Sequence, residues 1–307
     1  MIISRIQRRL AQLTEVVRKL DELQQAVGRI ELRLSATAER PKQDLREYEF
    51  KVFSEWGEDG IVQYLIRNVQ LPRQIFVEFG VENYTEANTR FLLEHNNWSG
   101  LVIEARREQV SAIQKQRIYS RYELKALSAF VTRENINDLL RNGGIEGDIG
   151  LLSIDIDGND YWVWEAIDCI SPRIVICEYD SILGPERPVV SPYDPAFLKT
   201  RAHYSFLYGG ASLAALELLG RRKGYTLVGS NSAGSNAFFV RTDVLGELRA
   251  MTPKEAYVRS KFRNSRDRQG NLTFLSMDEG LELIADLPLI DVASGEKIAV
   301  RDIPHYK

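Results

Sequence analysis

The chain has 307 residues, of which 44% are hydrophobic and 27% charged, and a net charge of −3. That composition suits one large globular domain with accessories, and it excludes a globally basic nucleic-acid binder. Its two cysteines, Cys169 and Cys177, lack a C-x-x-C spacing, so buried thiols in a reducing compartment are expected rather than a disulfide framework. No apolar run approaches the length needed to cross a bilayer, and the first residues lack the continuous apolar core of a secretory signal, so a cytoplasmic location is expected.

The first 37 residues stand apart. Apolar side chains recur at Ile3, Ile6, Leu10, Leu13, Val17, Leu20, Leu23, Val27, Ile30 and Leu34, in alternating steps of three and four with one doubled three ending at Leu23. This is a heptad seam with a stammer, and a lone helix would leave it wet. A coiled-coil helix over 1–37 that joins a homo-oligomer is the first expectation. Seven Lys/Arg against four Asp/Glu in this segment leave open a basic amphipathic helix on the periphery of an anionic inner membrane. A helix of another protein could also cover the seam. Residues 38–49, polar and containing Pro41, are expected to be a linker.

From residue 50 the chain alternates strand and helix signals. A helix within 50–70 carries Ile61, Tyr64 and Leu65 on its apolar face, with Ser54 as candidate cap. Residues 75–104 give a strand at 75–79, a turn at Gly80, a helix at 86–95 and a strand at 101–104. A helix near 107–116, a strand at 122–127, a helix at 133–142 and a strand at 150–155 follow. Next come a helix from Tyr161, a strand at 173–177 and a helix at 212–223. Two β-rich runs, 225–228 and 236–240, flank the turn-like SNSAGS and predict an antiparallel hairpin. The pattern predicts an α/β class fold, a Rossmann-like doubly wound sheet over 50–245, with 246–307 as a C-terminal accessory segment.

The strand ends carry acids. Glu78 and Glu104 close the first two strands, and Glu104 lies at a distance from Gly80 that suits a carboxylate accepting from ribose hydroxyls. The G-x-G-x-x-G pyrophosphate fingerprint is missing, since Glu82 and Asn83 follow where glycine would continue it. Glu78 and Glu82 would repel a diphosphate. They would attract a nucleoside bearing positive charge, so Glu78, Gly80, Glu82, Asn83, Glu104 and Asp155 form the expected binding set for S-adenosylmethionine. The segment 151–167, LLSIDIDGNDYWVWEAI, then crowds Asp155, Asp157 and Asp160 at the next strand end, and Glu178 and Asp180 end the strand after it. Such crowding calls for a metal, a cationic ligand or protonation. Asp157, Glu178 and Asp180 are the expected ligands, and an all-oxygen set favours Mg²⁺ or Ca²⁺. Trp162 and Trp164 are expected in the core.

Three runs resemble class I S-adenosylmethionine-dependent methyltransferases of the FkbM-like type found in bacterial surface-polysaccharide clusters. They are FVEFGVENYTEANTRFL at 76–92, SIDIDGNDYWVW at 153–164 and GASLAALELLGRRKGYTLVGSNSAGSNAFFV at 210–240. The resemblance spans roughly 50–285 and leaves out the heptad helix. It implies O-methylation of a sugar hydroxyl on a nucleotide sugar or surface glycan. Aligned on Asp157-Gly158, related metal-dependent sugar O-methyltransferases imply metal ligation by Asp157 and Glu178. Methyl transfer to a hydroxyl needs a proton acceptor, and His203, in a loop-like stretch, is the candidate base, with Asp157 as the second catalytic candidate. Tyr193 and Tyr204 are candidates for stacking on a sugar, and the proline-rich stretch 181–201 for a lid. Residues 259–268, with five basic side chains and one acid, could hold phosphates or an anionic glycan. A catalytically inactive scaffold of a glycan-assembly complex is the alternative. A nucleotidyl or glycosyl transferase using Asp155 and Asp157 is a further rival, and Gly80 between carboxylates argues against it.

Overall fold

A computed structural model describes residues 2–36 and 44–304. In chain order the elements are α1 (Ile2–Ala36), α2 (Glu58–Asn68), β1 (Ile75–Phe79), α3 (Arg90–Asn96), β2 (Ser99–Glu104), α4 (Arg107–Lys115) and α5 (Arg117–Arg121). They continue with β3 (Leu124–Ser128), α6 (Ile136–Asn142), β4 (Gly147–Ile154), α7 (Asp160–Ala166), β5 (Ile170–Glu178), β6 (Val189–Val190) and α8 (Lys199–Ala202). The last are α9 (Leu213–Arg222), β7 (Tyr225–Ser230), β8 (Asn236–Arg241), α10 (Pro253–Ala256), α11 (Met277–Leu283), β9 (Pro288–Asp291) and β10 (Lys297–Ala299).

Seven strands form one sheet in the order β3-β2-β1-β4-β5-β8-β7. All neighbours run parallel except at β8, which is antiparallel to both β5 and β7. This is the expected Rossmann-like mixed sheet with its antiparallel hairpin. The strand order reverses between β1 and β4, and an open α/β sheet binds ligands in the crevice at such a reversal.

Both faces are covered because the strands are apolar at consecutive positions. Val77, Phe79, Leu152, Ile154, Val175 and Cys177 join Tyr161, Trp164, Leu216 and Leu219 in one core. Phe76, Leu151, Ile174, Ile176, Phe238 and Val240 join Ile61, Leu65, Leu92 and Ile113 in the other. Side chains alternate along a strand, so Glu78, Ser153, Glu178 and Asn236 fall on the α2 side of the sheet. Four polar residues from four neighbouring strands thus share one face of the carboxyl edge. Cys177 is buried, Cys169 is half-buried, and neither forms a disulfide.

Two local differences from the sequence expectations have physical causes. The helix expected from residue 86 starts at Arg90, because the amides of Asn88 and Thr89 donate to the Glu78 carboxylate at 2.8 and 3.1 Å. Gly57, in the left-handed region, stands at the cap of α2 instead of Ser54. The Ser54 hydroxyl still accepts the Asp59 amide at 3.0 Å, and Asp59 accepts the amides of Val52, Phe53 and Ser54.

The segment before residue 50 and the one after 245 both enter the fold. Leu45 and Tyr48 are buried beside the main sheet, while 38–43 of the expected linker lie outside the described residues. Strands β6, β9 and β10 make a second sheet in the order β10-β9-β6. A third core beneath it unites Ile182, Leu183, Val189 and Tyr208 with Leu281, Ile284, Leu289 and Val300. The stretch 181–201, expected as a lid, is therefore tied down by β6 and by this core.

Helix α1 uses two faces. Gly28 and Leu32 dock on the domain; a Cβ at Gly28 would lie 2.5 Å from Val52 Cγ2, and Leu32 is buried with Val52, Phe53 and Phe91. Gln25 Nε2 donates to Glu94 at 2.8 Å, beside this contact. The seam side chains Leu20, Leu23, Val27, Ile30 and Leu34 point elsewhere and are 54%, 62%, 56%, 54% and 61% exposed. The seam side chains from Ile3 to Val17 lie outside the described residues.

Candidate active site

At the β1–β2 edge the chain turns through three left-handed residues, Gly80, Glu82 and Tyr84, with φ of 74°, 47° and 62°. Gly80 is needed for space as well as for φ, since a Cβ there would lie 1.7 Å from the Asp155 carbonyl oxygen. The end of β1 therefore rests directly on the chain leaving β4. Glu104 is buried beside this turn. Its Oε2 accepts the Glu82 amide at 3.0 Å, and its Oε1 accepts the Arg106 amide at 2.9 Å and Arg106 Nε at 3.2 Å. Arg106 Nη2 reaches on to Glu82 at 2.9 Å, and Glu82 itself is largely exposed.

Two members of the expected cofactor set are engaged within the protein. The Glu78 carboxylate is fully engaged with Asn88 and Thr89 at the start of α3, and burial pushes its pKa up to about 7 against those hydrogen bonds. The Asn83 side chain accepts from Thr85 within its own turn, and its carbonyl accepts Gln116 Nε2 at 2.6 Å. Glu78 and Asn83 shape the loop, while Glu104 and Glu82 stand at the groove.

The second half of the site lies where β4, β5 and β8 end. Carboxylate oxygens of Asp155, Asp160 and Glu178 lie within 4.8 Å of one another. Asp160 holds the intervening loop, accepting the amides of Ile156 and Gly158 at 2.8 Å each. Burial raises the Asp160 pKa to about 6 despite those bonds, and raises Asp155 and Glu178 well above the usual carboxylate range, with mutual repulsion adding to it. Asp180 accepts the Ile182 amide at 3.1 Å, and burial lifts its pKa to about 6.

This cluster differs from the expected ligand set of Asp157, Glu178 and Asp180, all three of which line the cavity described below. Asp157 has φ of 58°, and that left-handed turn swings its side chain outward while Asp160 folds back beneath the loop. Asp157 is 68% exposed and pairs with Lys199 Nζ at 3.2 Å. Of the expected ligands, the compact triad contains Glu178 alone. Lys199 is outside the expected site residues. Its ammonium is held firmly protonated, chiefly by Glu178, then by Asp157 and Asp180, so α8 supplies the compensating charge that the crowded acids require.

A cavity of about 450 Å³ opens over this cluster, walled by Asp155, Glu178, Asp180 and Lys199 together with Trp56 and Phe262. Gly80, Glu82, Asn83 and Glu104 are not among its wall residues, so the two halves adjoin at Asp155 without merging. His203, the expected base, is also not in the wall. Its Nδ1 lies 2.7 Å from Ser205 Oγ and its ring packs on Tyr204 at 4.2 Å, while burial lowers its pKa. Tyr193 sits under Arg133 at 4.0 Å and hydrogen-bonds Glu134, away from the cavity wall. Trp164 is buried in the core as expected, and Trp162 Nε1 donates to the Ser191 carbonyl at 2.9 Å.

The C-terminal segment supplies the far wall through Ser260, Phe262, Asn264 and Ser276. Several basic side chains of 259–268 are engaged locally. Arg259 pairs with Asp278 at 2.7 Å, and Arg263 Nε donates to the Phe274 carbonyl at 2.6 Å. Arg266 and Arg268 lie over the rings of Phe206 and Tyr204 at 5.4 and 4.5 Å.

No protein-family model and no curated protein sequence matches the chain. Among solved structures, it is similar to the N-terminal domain of EvdMO1 with SAH bound. That alignment has 12% identity and a TM-score of 0.39, and covers 62% of this chain and 81% of that one. PKMT2 from Rickettsia typhi in complex with AdoHcy aligns at 6% identity and TM-score 0.42, covering 66% and 56% of the two chains. An O-methyltransferase from Bacillus cereus in complex with SAH aligns at 13% identity and TM-score 0.36, covering 69% and 87%. Likenesses this distant carry no argument about cofactor or substrate.

The charge pairing around Lys199 has a measurable signature. Lys199→Met should destabilise the protein by about 1–3 kcal/mol at pH 8, where Glu178, Asp157 and Asp180 lose their compensating cation. At pH 5 the buried carboxyls with raised pKa take up protons instead, so the loss should shrink. Denaturant unfolding of wild type and variant at both pH values checks this; an equal loss at both would contradict the pairing.

Proposed function

We propose that the chain is an S-adenosylmethionine-dependent O-methyltransferase acting on a sugar hydroxyl of a nucleotide sugar or surface glycan. The observation that carries this reading is the charge of the reversal-point crevice. Glu104 stands on its β1–β2 side and Asp155 and Glu178 on its β4–β5 side, where a dinucleotide site would present a glycine-rich phosphate cradle. Such a crevice fits a cationic nucleoside and disfavours a diphosphate. The resemblance of three sequence runs to FkbM-like methyltransferases supports the same reading, and two of those runs contribute Asp155, Gly210 and Asn236 to the cavity wall.

The residues present fit the cofactor. Both Glu104 oxygens are fixed by backbone amides, which leaves acceptor capacity for ribose hydroxyls. Bound there, the cofactor supplies a methyl group on a cationic sulfur. Gly80 sets the floor between the nucleoside half and the cavity by letting β1 rest on Asp155. In the cavity, Asp155 and Glu178 take the proton of the acceptor hydroxyl, since burial raises their proton affinity toward the range a general base needs. Lys199 keeps the cluster from retaining more protons than it can pass on. His203 has no part in this route, because it stands outside the cavity wall. A divalent cation would be held by Asp155, Asp160 and Glu178, and it would acidify the acceptor hydroxyl.

Glu104→Ala should weaken S-adenosylmethionine binding by about 1–3 kcal/mol, the loss of a charged hydrogen-bond partner. Calorimetry showing wild-type affinity would remove the ribose assignment. For the metal, magnesium should raise the melting temperature of wild type and leave that of Glu178→Gln unmoved. A flat wild-type response would leave proton transfer to the carboxylates alone.

The exposed seam of α1 supports assembly as a homo-oligomer, because the docked face of the helix is separate from it. Replacing Leu20, Leu23 and Val27 by serine touches no buried residue, so the domain should stay folded while light scattering reports a smaller particle. An unchanged mass would hand the seam to a membrane surface or another protein.

A further inference from the structure

Trp56 and Phe262 are the feature of the cavity that proton transfer and charge compensation leave unused. They come from opposite ends of the fold, Trp56 from the turn before α2 and Phe262 from the C-terminal segment. Their ring centroids lie 4.8 Å apart with planes 35° from parallel. Both line the cavity, yet they remain 40% and 43% exposed. Each is held from behind. The Trp56 amide donates to Glu58 Oε2 at 2.9 Å, and the other oxygen of that buried glutamate accepts Asn231 and Asn236. The Phe262 amide donates to Ser260 Oγ at 3.2 Å, and the Ser260 amide to Ser181 Oγ at 3.3 Å. Two rings on fixed backbone thus offer a ready apolar surface at little further entropic cost.

The rest of the wall decides what could cover them. Glu55, Ser260 and Asn264 add hydrogen-bonding groups, and the acids of β4 and β5 stand deeper. A wholly apolar ligand would strand those polar groups. An anionic one would meet Asp155, Glu178 and Asp180, Lys199 is already held by Asp157 and Glu178, and the arginines at 259, 263, 266 and 268 are engaged elsewhere. A neutral ring with one C–H face and a rim of hydroxyls satisfies both demands.

We infer that Trp56 and Phe262 form a stacking platform for a neutral saccharide ring, recognised through its own face and hydroxyls and not through a diphosphate. This deepens the proposed function and rests on it for the identity of the reaction. It selects the glycan or glycoside over the nucleotide sugar as the species read in this cavity.

The test uses the full chain without cofactor and a panel of methyl glycosides of common hexoses and 6-deoxyhexoses, read by saturation-transfer NMR. Wild type should saturate ring C–H protons of at least one glycoside, and the matching UDP- or dTDP-sugar should gain nothing from its diphosphate. Trp56→Ala and Phe262→Ala should each reduce the transfer about fivefold, the loss of one stacking face, and Trp56→Phe should keep most of it. Both rings are substantially exposed, so the variants should stay folded. No transfer from any glycoside to wild type, equal transfer in the alanine variants, or tighter binding through the diphosphate would each overturn the platform. S-adenosylhomocysteine calorimetry reads the other half of the site. Its failure would sink methyl transfer without touching the saccharide result, and the reverse holds equally.

Discussion

Carboxylate charge buried at the carboxyl ends of β1, β4 and β5 is the constraint around which this fold is arranged. An ionised carboxyl taken from water needs hydrogen bonds, a cation or a proton, and each acid here has a different answer. Glu78 captures the first amides before α3. Asp160 captures the amides of the loop after β4. Glu178 and Asp180 face the ammonium of Lys199. Burial holds Asp155, like Glu178, well above the usual carboxylate range. These answers are also structural. The first fixes where α3 begins, the second fixes the left-handed turn at Asp157, and the third fixes where α8 docks.

The crevice consequently has two characters. On the β1–β2 side, Glu104 and Glu82 are bridged by Arg106 in a shallow turn of left-handed residues. On the β4–β5–β8 side, a deeper cavity is walled by elements from both ends of the chain. The contact between Gly80 and the Asp155 carbonyl is the partition. The C-terminal segment belongs to the site as much as the sheet does, because its strand β9 pairs with β6 and its residues 260–276 close the cavity.

How much of this was legible in the sequence depends on the kind of interaction. Apolar runs ending in acids announced β1, β2, β4 and β5, since a parallel strand buried on both faces must be apolar throughout. The hairpin of β7 and β8 was legible from SNSAGS between two β-rich runs. The start of α3 was misjudged by about one turn because periodicity cannot reveal a distant carboxylate competing for amides. The compact acid triad differs from the expected ligand set for a related reason. Strand-end logic assigns Asp157, but a single left-handed residue exchanges Asp157 for Asp160. Lys199 carries no signal at all in the string, since it stands after a proline-rich stretch of no period and becomes a neighbour of Glu178 only in three dimensions. His203 stands out in the sequence by its chemistry and its loop-like setting, and its hydrogen bond to Ser205 shows how a histidine in an aromatic loop can be a local strut.

The same electrostatics couples the two halves of the crevice. Positive charge near Asp155 and Glu178 lowers their proton affinity, and by linkage each proton they hold weakens the binding of that charge. A cationic ligand entering beside Asp155 would therefore leave the carboxylates ionised and ready to accept a proton. Once the ligand has given up its positive charge, their proton affinity would rise again. Lys199 sets the baseline of this exchange, because its ammonium already offsets part of the repulsion. A site with fewer acids would lose the coupling, and one without the lysine would hold its protons more tightly. The crowding of carboxylates at the edge of this sheet is thus tuned by the cation opposite them, and the arrangement of α8, the loop after β4 and the C-terminal wall follows from holding that balance in place.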